Sequence, residues 1–270
     1  MSGVLRTEIQ VDGEIASYLT VERDGPTVLM LHGTYWSRVW LPVLGRVAEA
    51  GLRPVAVDLP GLGRSGGELT PETATVPALA EWVTRFASAL KLSGPVAVAG
   101  HDIGGAIAQH LLAHERLEVS RLALVNSVTY DSWPAPHVAR FGDPAATADD
   151  VLAARRKAVT SALAGAATEQ LVADYVDPWT DPRVRRSWLA MAGAADSRYT
   201  LDLVPALKRS TTPKLLVWGE DDAFETVEYA EKFASEIPHT TLIRIPAADH
   251  IPTENAPDRI ARALVDFFTA

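Results

Sequence analysis

The chain of 270 residues contains no cysteine. A chain without thiols can have no disulfide framework, no thiolate nucleophile and no metal site with cysteine ligands. It also lacks a long apolar run, since no segment approaches the roughly 18 residues that a membrane helix requires. The first residues, MSGVLRTEIQVDGE, have neither the basic nor the apolar part of a signal peptide. We therefore expect a cytoplasmic protein that does not span a membrane.

Positive charge is also in short supply. Lysine and arginine number 25 against 34 aspartates and glutamates, which gives a formal net charge of −9. A surface with this balance repels nucleic acid and anionic membranes. The proportions of hydrophobic and charged residues, 47% and 22%, are ordinary for a globular protein. We expect a small-molecule partner and neither nucleic acid nor membrane, while the oligomeric state stays open.

Short, continuous apolar runs recur along the chain. Runs of this kind are typical of strands buried on both faces, as in a parallel sheet covered by helices. The segments between them have helical spacing of apolar residues, and two alternating segments before them flank an Asp-Gly turn that predicts a hairpin. This alternation predicts an α/β fold with a mostly parallel central sheet flanked by helices. The runs are residues 27–31, 54–57, 95–99, 121–125, 214–218 and 240–245.

The alternation of apolar runs and helical segments breaks once, between the run at residues 121–125 and the run at residues 214–218. Residues 128–212 have helical spacing and no convincing strand, and they hold three of the seven tryptophans. We predict that they form an inserted helical cap, or lid. The core would then comprise residues 1–127 and 213–270.

One short motif, Gly-His-Asp-Ile-Gly-Gly at residues 100–105, follows an apolar run and opens a helical segment. Glycines on both sides of the central residue allow a sharp strand-to-helix turn. Such a turn exposes Asp102 at the carboxyl end of the sheet, where open α/β sheets bind their ligands. A helix-capping aspartate is the alternative interpretation.

Three further motifs follow predicted strands. His-Gly-Thr at residues 32–34 ends the first run, Trp-Gly-x-x-Asp places Asp222 after a later one, and His250 lies in the loop before the last helix. With Asp102 these motifs resemble the α/β-hydrolase superfamily, in its order of nucleophile, acid and histidine. Asp221 is a competitor for the acid position, but the motif spacing favours Asp222.

The resemblance implies an α/β-hydrolase fold with a nucleophile elbow at Asp102. It also implies a catalytic triad of Asp102, Asp222 and His250, and an oxyanion hole formed by the backbone N–H groups of Thr34 and Ile103. It implies no cofactor and no metal.

An aspartate nucleophile suits displacement at a saturated carbon, where it forms an alkyl ester on the enzyme. A water activated by His250 would then hydrolyse the ester of Asp102. The chain resembles the Asp-nucleophile branch of the superfamily, which contains epoxide hydrolases and haloalkane and fluoroacetate dehalogenases.

The choice within this branch depends on residues around the nucleophile. Ile103 stands where haloalkane dehalogenases have a halide-binding tryptophan and fluoroacetate dehalogenases an arginine. Tyr199 matches one of the two cap tyrosines that donate protons in epoxide hydrolases, and Tyr130 or Tyr175 could be the second. We therefore expect epoxide opening on an apolar or aromatic molecule. The candidates for substrate binding and proton donation are Tyr199, Tyr130, Trp133, His137, Tyr35 and Trp36.

Two alternatives remain. The first is a haloalkane or haloacid dehalogenase, with a halide site built from the cap residues Trp133, His137 and Tyr199. The second is a non-hydrolytic protein of the same fold, such as a biosynthetic cyclase, an isomerase or a ligand-binding receptor, in which Asp102 is a base or a binding group.

Overall fold

The computed structural model describes residues 3–143 and 146–270, without the side chain of His137. In this part of the chain one sheet of eight strands has the order β1-β2-β4-β3-β5-β6-β7-β8. The first two strands and the contact of β2 with β4 are antiparallel, and every other pair is parallel. The strands are β1 (Leu5–Val11), β2 (Glu14–Thr20), β3 (Thr27–Leu31), β4 (Arg53–Val57), β5 (Val96–Asp102), β6 (Val119–Ser127), β7 (Lys214–Gly219) and β8 (Thr240–Ile245). The predicted α/β-hydrolase fold, with a mostly parallel central sheet, is confirmed.

Helices cover both faces of this sheet. In β3, Leu29 and Leu31 pack into one hydrophobic cluster, and Val28 and Met30 pack into a second cluster on the opposite face. The apolar run therefore continues through the strand because both of its faces are buried. The helices beside the sheet include α1 (Leu41–Glu49), α2 (Val76–Ala89), α3 (Ile103–Ala113) and, near the end of the chain, α12 (Pro257–Thr269).

The predicted hairpin is also confirmed. Strands β1 and β2 pair with Val11 opposite Glu14, and the turn between them is Asp12-Gly13. Both turn residues have positive φ, 55° and 85°, as the tight turn of a two-residue hairpin requires.

The segment between β6 and β7 is helical. Its helices are α4 (Pro136–Ala139), α5 (Ala148–Leu163), α6 (Glu169–Val176), α7 (Pro182–Gly193), α8 (Arg198–Leu201) and α9 (Val204–Arg209). No strand interrupts them in residues 128–143 and 146–212. We propose that residues 128–212 act as a cap on a core of residues 1–127 and 213–270.

The remaining helices follow the last strands. They are α10 (Val227–Glu236) after β7 and α11 (Pro252–Asn255) after β8. Of the helices in the described ranges, none combines the length and the apolar character needed to cross a membrane.

The turn from β5 into α3 is unusually tight. Asp102 stands at its tip with φ 55° and ψ −129°, a conformation that costs a non-glycine residue about 1–3 kcal/mol. A Cβ on Gly100 would overlap the carbonyl oxygen of Gly104 and the Cα of Gly105. The glycines of the motif are therefore required by the close approach of strand and helix backbones.

We expect Gly100→Ala to lower the free energy of unfolding by about 3 kcal/mol or more, because backbone atoms of α3 would have to move. The matched control is Gly45→Ala in α1, where a Cβ meets no atom within 4 Å. That control should gain about 0.5–1 kcal/mol, since alanine restricts the unfolded chain. Urea unfolding of both variants checks this, and a Gly100→Ala protein as stable as the unsubstituted one would contradict it.

Candidate active site

The carboxylate of Asp102 is buried against the loop that follows β3. Its Oδ2 accepts hydrogen bonds from the backbone N–H of Thr34 at 2.9 Å and from the Thr34 hydroxyl at 2.7 Å. A Cβ on Gly33 would lie 2.6 Å from the Cγ of Asp102. Glycine at position 33 therefore lets the loop approach the carboxylate closely.

The two donors from Thr34 hold one oxygen of Asp102 and leave Oδ1 as the oxygen available for attack. The sequence placed the Thr34 N–H beside this carboxylate, but the contribution of the Thr34 hydroxyl was missed. Both hydrogen bonds that the described residues give to Oδ2 come from Thr34. The Ile103 side chain is buried in the hydrophobic core beneath α3, and the role of its backbone N–H in an oxyanion hole stays a prediction.

His250 lies between two carboxylates. Its Nδ1 is 2.9 Å from Oδ2 of Asp222, and its Nε2 is 3.9 Å from Oδ2 of Asp102. The competing acid, Asp221, is exposed at the surface. The structure therefore brings together the three residues that the motifs suggested.

Asp222 is held in place by three donors. Asn126 Nδ2 donates to its Oδ2 at 2.7 Å, and the backbone N–H groups of Phe224 and Glu225 donate to its Oδ1 at 2.7 Å and 3.0 Å. Asn126, which the sequence did not single out, comes from the end of β6 next to β7. These bonds fix the carboxylate that orients His250.

Burial and the neighbouring charges shift the pKa values of His250 and Asp102 in opposite directions. Burial alone would lower the pKa of His250, but the charge of Asp222, its hydrogen bond with Nδ1 and the nearby carboxylate of Asp102 hold that pKa well above its ordinary value. Burial alone would raise the pKa of Asp102, but His250, His101 and the Thr34 hydroxyl hold it well below the ordinary value. In the resting protein Asp102 is therefore an anion beside an imidazolium.

A small cavity opens above Asp102, with a volume of about 20 Å³, which is room for about one water molecule. The walls combine core residues with residues of the cap. The lining residues include Asp102, His250, Tyr35, Trp133, Arg155 and Glu225.

Of the candidate binding residues, Tyr35 and Trp133 line the cavity. Trp36 does not, because its ring lies between the guanidinium groups of Arg6 and Arg64, at 5.3 Å and 5.4 Å. The side chain of His137 lies outside the described residues.

None of the three tyrosines considered as proton donors, Tyr199, Tyr130 and Tyr175, lines the cavity. The hydroxyl of Tyr175 donates to Glu254 at 2.9 Å. The ring of Tyr130 lies 4.1 Å from the Lys232 Nζ and 6.2 Å from the ring of Phe233, so it faces α10. Tyr199 lies on α8, which packs against α3, and its side chain lies against the hydrophobic core. The sequence placed these tyrosines in the right segment but could not give the direction of their side chains.

Glu225 is a cavity residue that the sequence analysis missed. It follows Asp222 in the same turn, is 2% exposed, and its Oε2 has no hydrogen-bond partner among the described residues. Burial raises the pKa of Glu225 to about 8, with the hydroxyl of Ser132 acting in the opposite direction. Glu225 is therefore largely protonated at neutral pH and can donate a proton into the cavity. Its spacing from Asp222 was the available signal, but acids near a helix start are common.

Arg155 was missed as well. It lies on α5 next to Arg156, and in the sequence the two are indistinguishable. Arg156 pairs with Glu169 at the surface, whereas Arg155 lines the cavity.

Around the cavity the structure brings together a buried carboxylate, a histidine with its own acid, and two hydrogen-bond donors of Thr34. No group of three or more metal-ligating side chains occurs in residues 3–143 and 146–270 with the His137 side chain set aside.

Comparison with known proteins bears on the family and the fold of the chain. Residues 28–263 match the alpha/beta hydrolase family. A haloalkane dehalogenase of Bradyrhizobium diazoefficiens is 30% identical over 279 residues, covering 91% of this chain and 87% of that protein. A haloalkane dehalogenase of Mesorhizobium japonicum is 26% identical over 299 residues, covering 97% and 90%.

Two solved structures share the fold. Haloalkane dehalogenase DbeA from Bradyrhizobium elkani has a TM-score of 0.87 at 24% identity, with 99% of this chain and 98% of that chain covered. Epoxide hydrolase CorEH has a TM-score of 0.82 at 23% identity, with 99% of both chains covered.

The raised pKa of Glu225 predicts a pH dependence of stability. Between the ordinary value of 4.5 and about 8, the folded protein keeps a proton that the unfolded chain has lost. The free energy of unfolding should therefore fall as pH rises through this interval, by about 2 to 4 kcal/mol.

Glu225→Gln should lack this fall, because glutamine does not titrate. Urea unfolding at pH 5 and pH 9 measures the difference, with Glu81→Gln, at an exposed ion pair with Arg116, as the control. The same pH dependence in the unsubstituted protein and in Glu225→Gln would show that Glu225 is not the group that titrates.

Proposed function

Because the chain belongs to the alpha/beta hydrolase family, we propose that it hydrolyses a bond at a saturated carbon through an ester of Asp102. The observation that carries the proposal is the Asp102 carboxylate itself. It occupies the elbow with Oδ2 held by Thr34 and with the His250 Nε2 3.9 Å away. A carboxylate that attacked an acyl carbon would form an anhydride, whereas attack at a saturated carbon gives a stable ester.

In the first step Oδ1 of Asp102 attacks the carbon that carries the leaving group. A carbon–oxygen bond forms, the bond to the leaving group breaks, and the electron pair departs with that group as an anion. The negative charge of Asp102 thereby moves to the leaving group.

Ester formation also changes His250. One of the two carboxylates that raise its pKa becomes neutral, so the pKa falls and the imidazolium gives its proton to solvent. The neutral imidazole, oriented by Asp222, can then accept a proton from water.

In the second step this water attacks Cγ of Asp102, and negative charge develops on Oδ2. That oxygen already accepts two hydrogen bonds from Thr34, which stabilise the tetrahedral intermediate. Collapse transfers a proton from His250 to the departing alcohol and leaves Asp102 as a carboxylic acid. That acid gives its proton to the neutral imidazole, which restores the carboxylate of Asp102 and the imidazolium of His250. For a halide the sum is organic halide plus water giving alcohol, halide ion and a proton.

We favour a carbon–halogen bond as the target. Halide departs as a stable anion and needs no proton donor. The tyrosines considered as donors for epoxide opening, Tyr199, Tyr130 and Tyr175, do not line the cavity. The relatives named haloalkane dehalogenases support the same choice.

Epoxide opening is the second candidate, and Glu225 is the observation that favours it. Opening an epoxide produces an alkoxide that needs a proton. Glu225 lines the cavity and is largely protonated at neutral pH because burial raises its pKa to about 8. Its carboxylic acid could supply the proton that the tyrosines were expected to give.

His250→Gln should stop the reaction at the ester, because glutamine cannot accept a proton from water. We expect ester hydrolysis to slow about 10²- to 10⁴-fold and the intact mass to rise by the mass of one alkyl group. A panel of short bromoalkanes and styrene oxide serves as substrate, and peptide mapping locates the adduct. His114→Gln, on the exposed end of the α3 segment, is the matched control.

Isotope labelling tests the same ester in the unsubstituted protein. A single turnover in ¹⁸O-water should place label in the Asp102 carboxylate, because water attacks Cγ of Asp102. Turnover with label only in the product would exclude the ester route. An unmodified Asp102 under all conditions, together with tight binding, would instead favour a receptor.

Glu225→Gln separates the two substrate classes. If Glu225 protonates an alkoxide, the ratio of epoxide turnover to bromoalkane turnover should fall about 10²- to 10⁴-fold. The ratio is measured as diol formation against bromide release, with Glu81→Gln as the control. An unchanged ratio would remove Glu225 as the acid.

A further inference from the structure

Two neighbouring arginines on α5 have opposite surroundings. Arg156 is exposed and forms an ion pair with Glu169. Arg155 is 3% exposed and lines the cavity that contains Asp102. A buried guanidinium is costly unless its charge and its N–H groups are satisfied.

Aromatic rings satisfy only the charge. The Cζ of Arg155 lies 4.9 Å from the ring centre of Tyr35, 5.1 Å from that of Trp179 and 5.6 Å from that of Trp188. Ring faces stabilise a cation, but they are not acceptors for N–H groups in the guanidinium plane. The Nε and Nη2 groups of Arg155 have no hydrogen-bond partner in the described part of the chain.

Arg185 is a second buried arginine of residues 128–212, and its Nε also has no partner among the described residues, but its Nη1 has acceptors and its Nη2 an ion-pair partner. Its Nη1 donates to the carbonyl oxygens of Trp179 and Thr180, at 2.7 Å and 3.0 Å, and its Nη2 lies 3.7 Å from Asp149. Arg155 has neither carbonyl acceptors of this kind nor an ion pair within the described residues. The Nε and Nη2 groups of Arg155, which have no acceptor among the described residues, therefore belong to a side chain that lines the cavity.

Asp102 is the carboxylate whose charge acts on Arg155. Burial lowers the pKa of Arg155, while Tyr35 and the charge of Asp102 raise it. Asp102 enters the cavity from the core and Arg155 from the cap. Once Asp102 is a neutral ester, Arg155 loses this opposing charge, and only an anion in the cavity can replace it.

We propose that Arg155 forms a binding site for a small monovalent anion facing Asp102. The site deepens the function proposed above, because it rests on attack by Asp102 at a carbon between the two residues. In-line displacement sends a leaving group away from the nucleophile, from the core toward the cap. The anion is the departing halide or a carboxylate that the substrate carries, and both have the charge and lone pairs to accept from Nε and Nη2.

Anion binding is tested first at equilibrium, without turnover. Sodium bromide and sodium acetate are titrated in turn at constant ionic strength, and the fluorescence of the tryptophans around Arg155 is recorded. We expect saturable binding of at least one of the two salts. Arg155→Met should weaken it about 10- to 100-fold, Arg155→Lys should weaken it less, and Arg156→Met should leave it unchanged.

Arg155→Met is a fair test because an apolar side chain of similar length among aromatic rings should fold well. Thermal unfolding of each variant checks this, and Arg155→Lys keeps the cation if the methionine variant is unstable. Absence of saturable binding of either salt, or equal binding by Arg155→Met, would overturn the site.

Turnover then identifies the source of the anion. A substrate carboxylate predicts that Arg155→Met raises KM for bromoacetate about 10-fold or more, with little change in KM for 1-bromobutane. A departing halide predicts a lower kcat for both compounds and the loss of product inhibition by bromide. Unchanged kinetics with both compounds would contradict the site. Failure of all turnover would count against the proposed hydrolysis, while the titration would still report on Arg155.

Discussion

The buried negative charge of Asp102 is the constraint on which the rest of the site depends. A carboxylate removed from water is stable only if charges and hydrogen bonds replace its hydration. Thr34 supplies two hydrogen bonds to one oxygen, and His250 supplies a positive charge that Asp222 holds in place. In the proposed reaction this charge leaves Asp102 for the leaving group and then returns. Thr34, His250 and Asp222 therefore act both when Asp102 is a carboxylate and when it is an ester. Arg155 lines the same cavity.

The course of the backbone positions the residues of this site. Parallel strands bring the ends of β3, β5 and β7 to one edge of the sheet, so residues far apart in sequence meet there. The elbow after β5 then pushes Asp102 out with a positive φ, a conformation maintained only because the surrounding packing fixes it. Gly33 and Gly100 are needed because backbone and carboxylate approach too closely for a Cβ.

The proposed cap, residues 128–212, supplies some of the side chains that line the cavity next to Asp102. The loop before α4 and the helix α5 bring Trp133 and Arg155 to the cavity of about 20 Å³, while Tyr130 and Tyr199 lie elsewhere. The turn after Asp222 adds Glu225 as a neutral acid. A site with an arginine and a carboxylic acid differs from one built on two tyrosines, and it can hold an anion as well as donate a proton.

The sequence by itself determined the sheet, the hairpin, the elbow and the order of Asp102, Asp222 and His250. These depend on local patterns: apolar runs, turn glycines and motifs at strand ends, whose positions follow once the strands are parallel. Tertiary structure alone decided which side chains reach the cavity. Arg155 and Arg156 are adjacent and chemically identical, and only the rotation of α5 against the core buries one of them. The protonation of Glu225 likewise depends on burial, which arises from packing between segments distant in sequence.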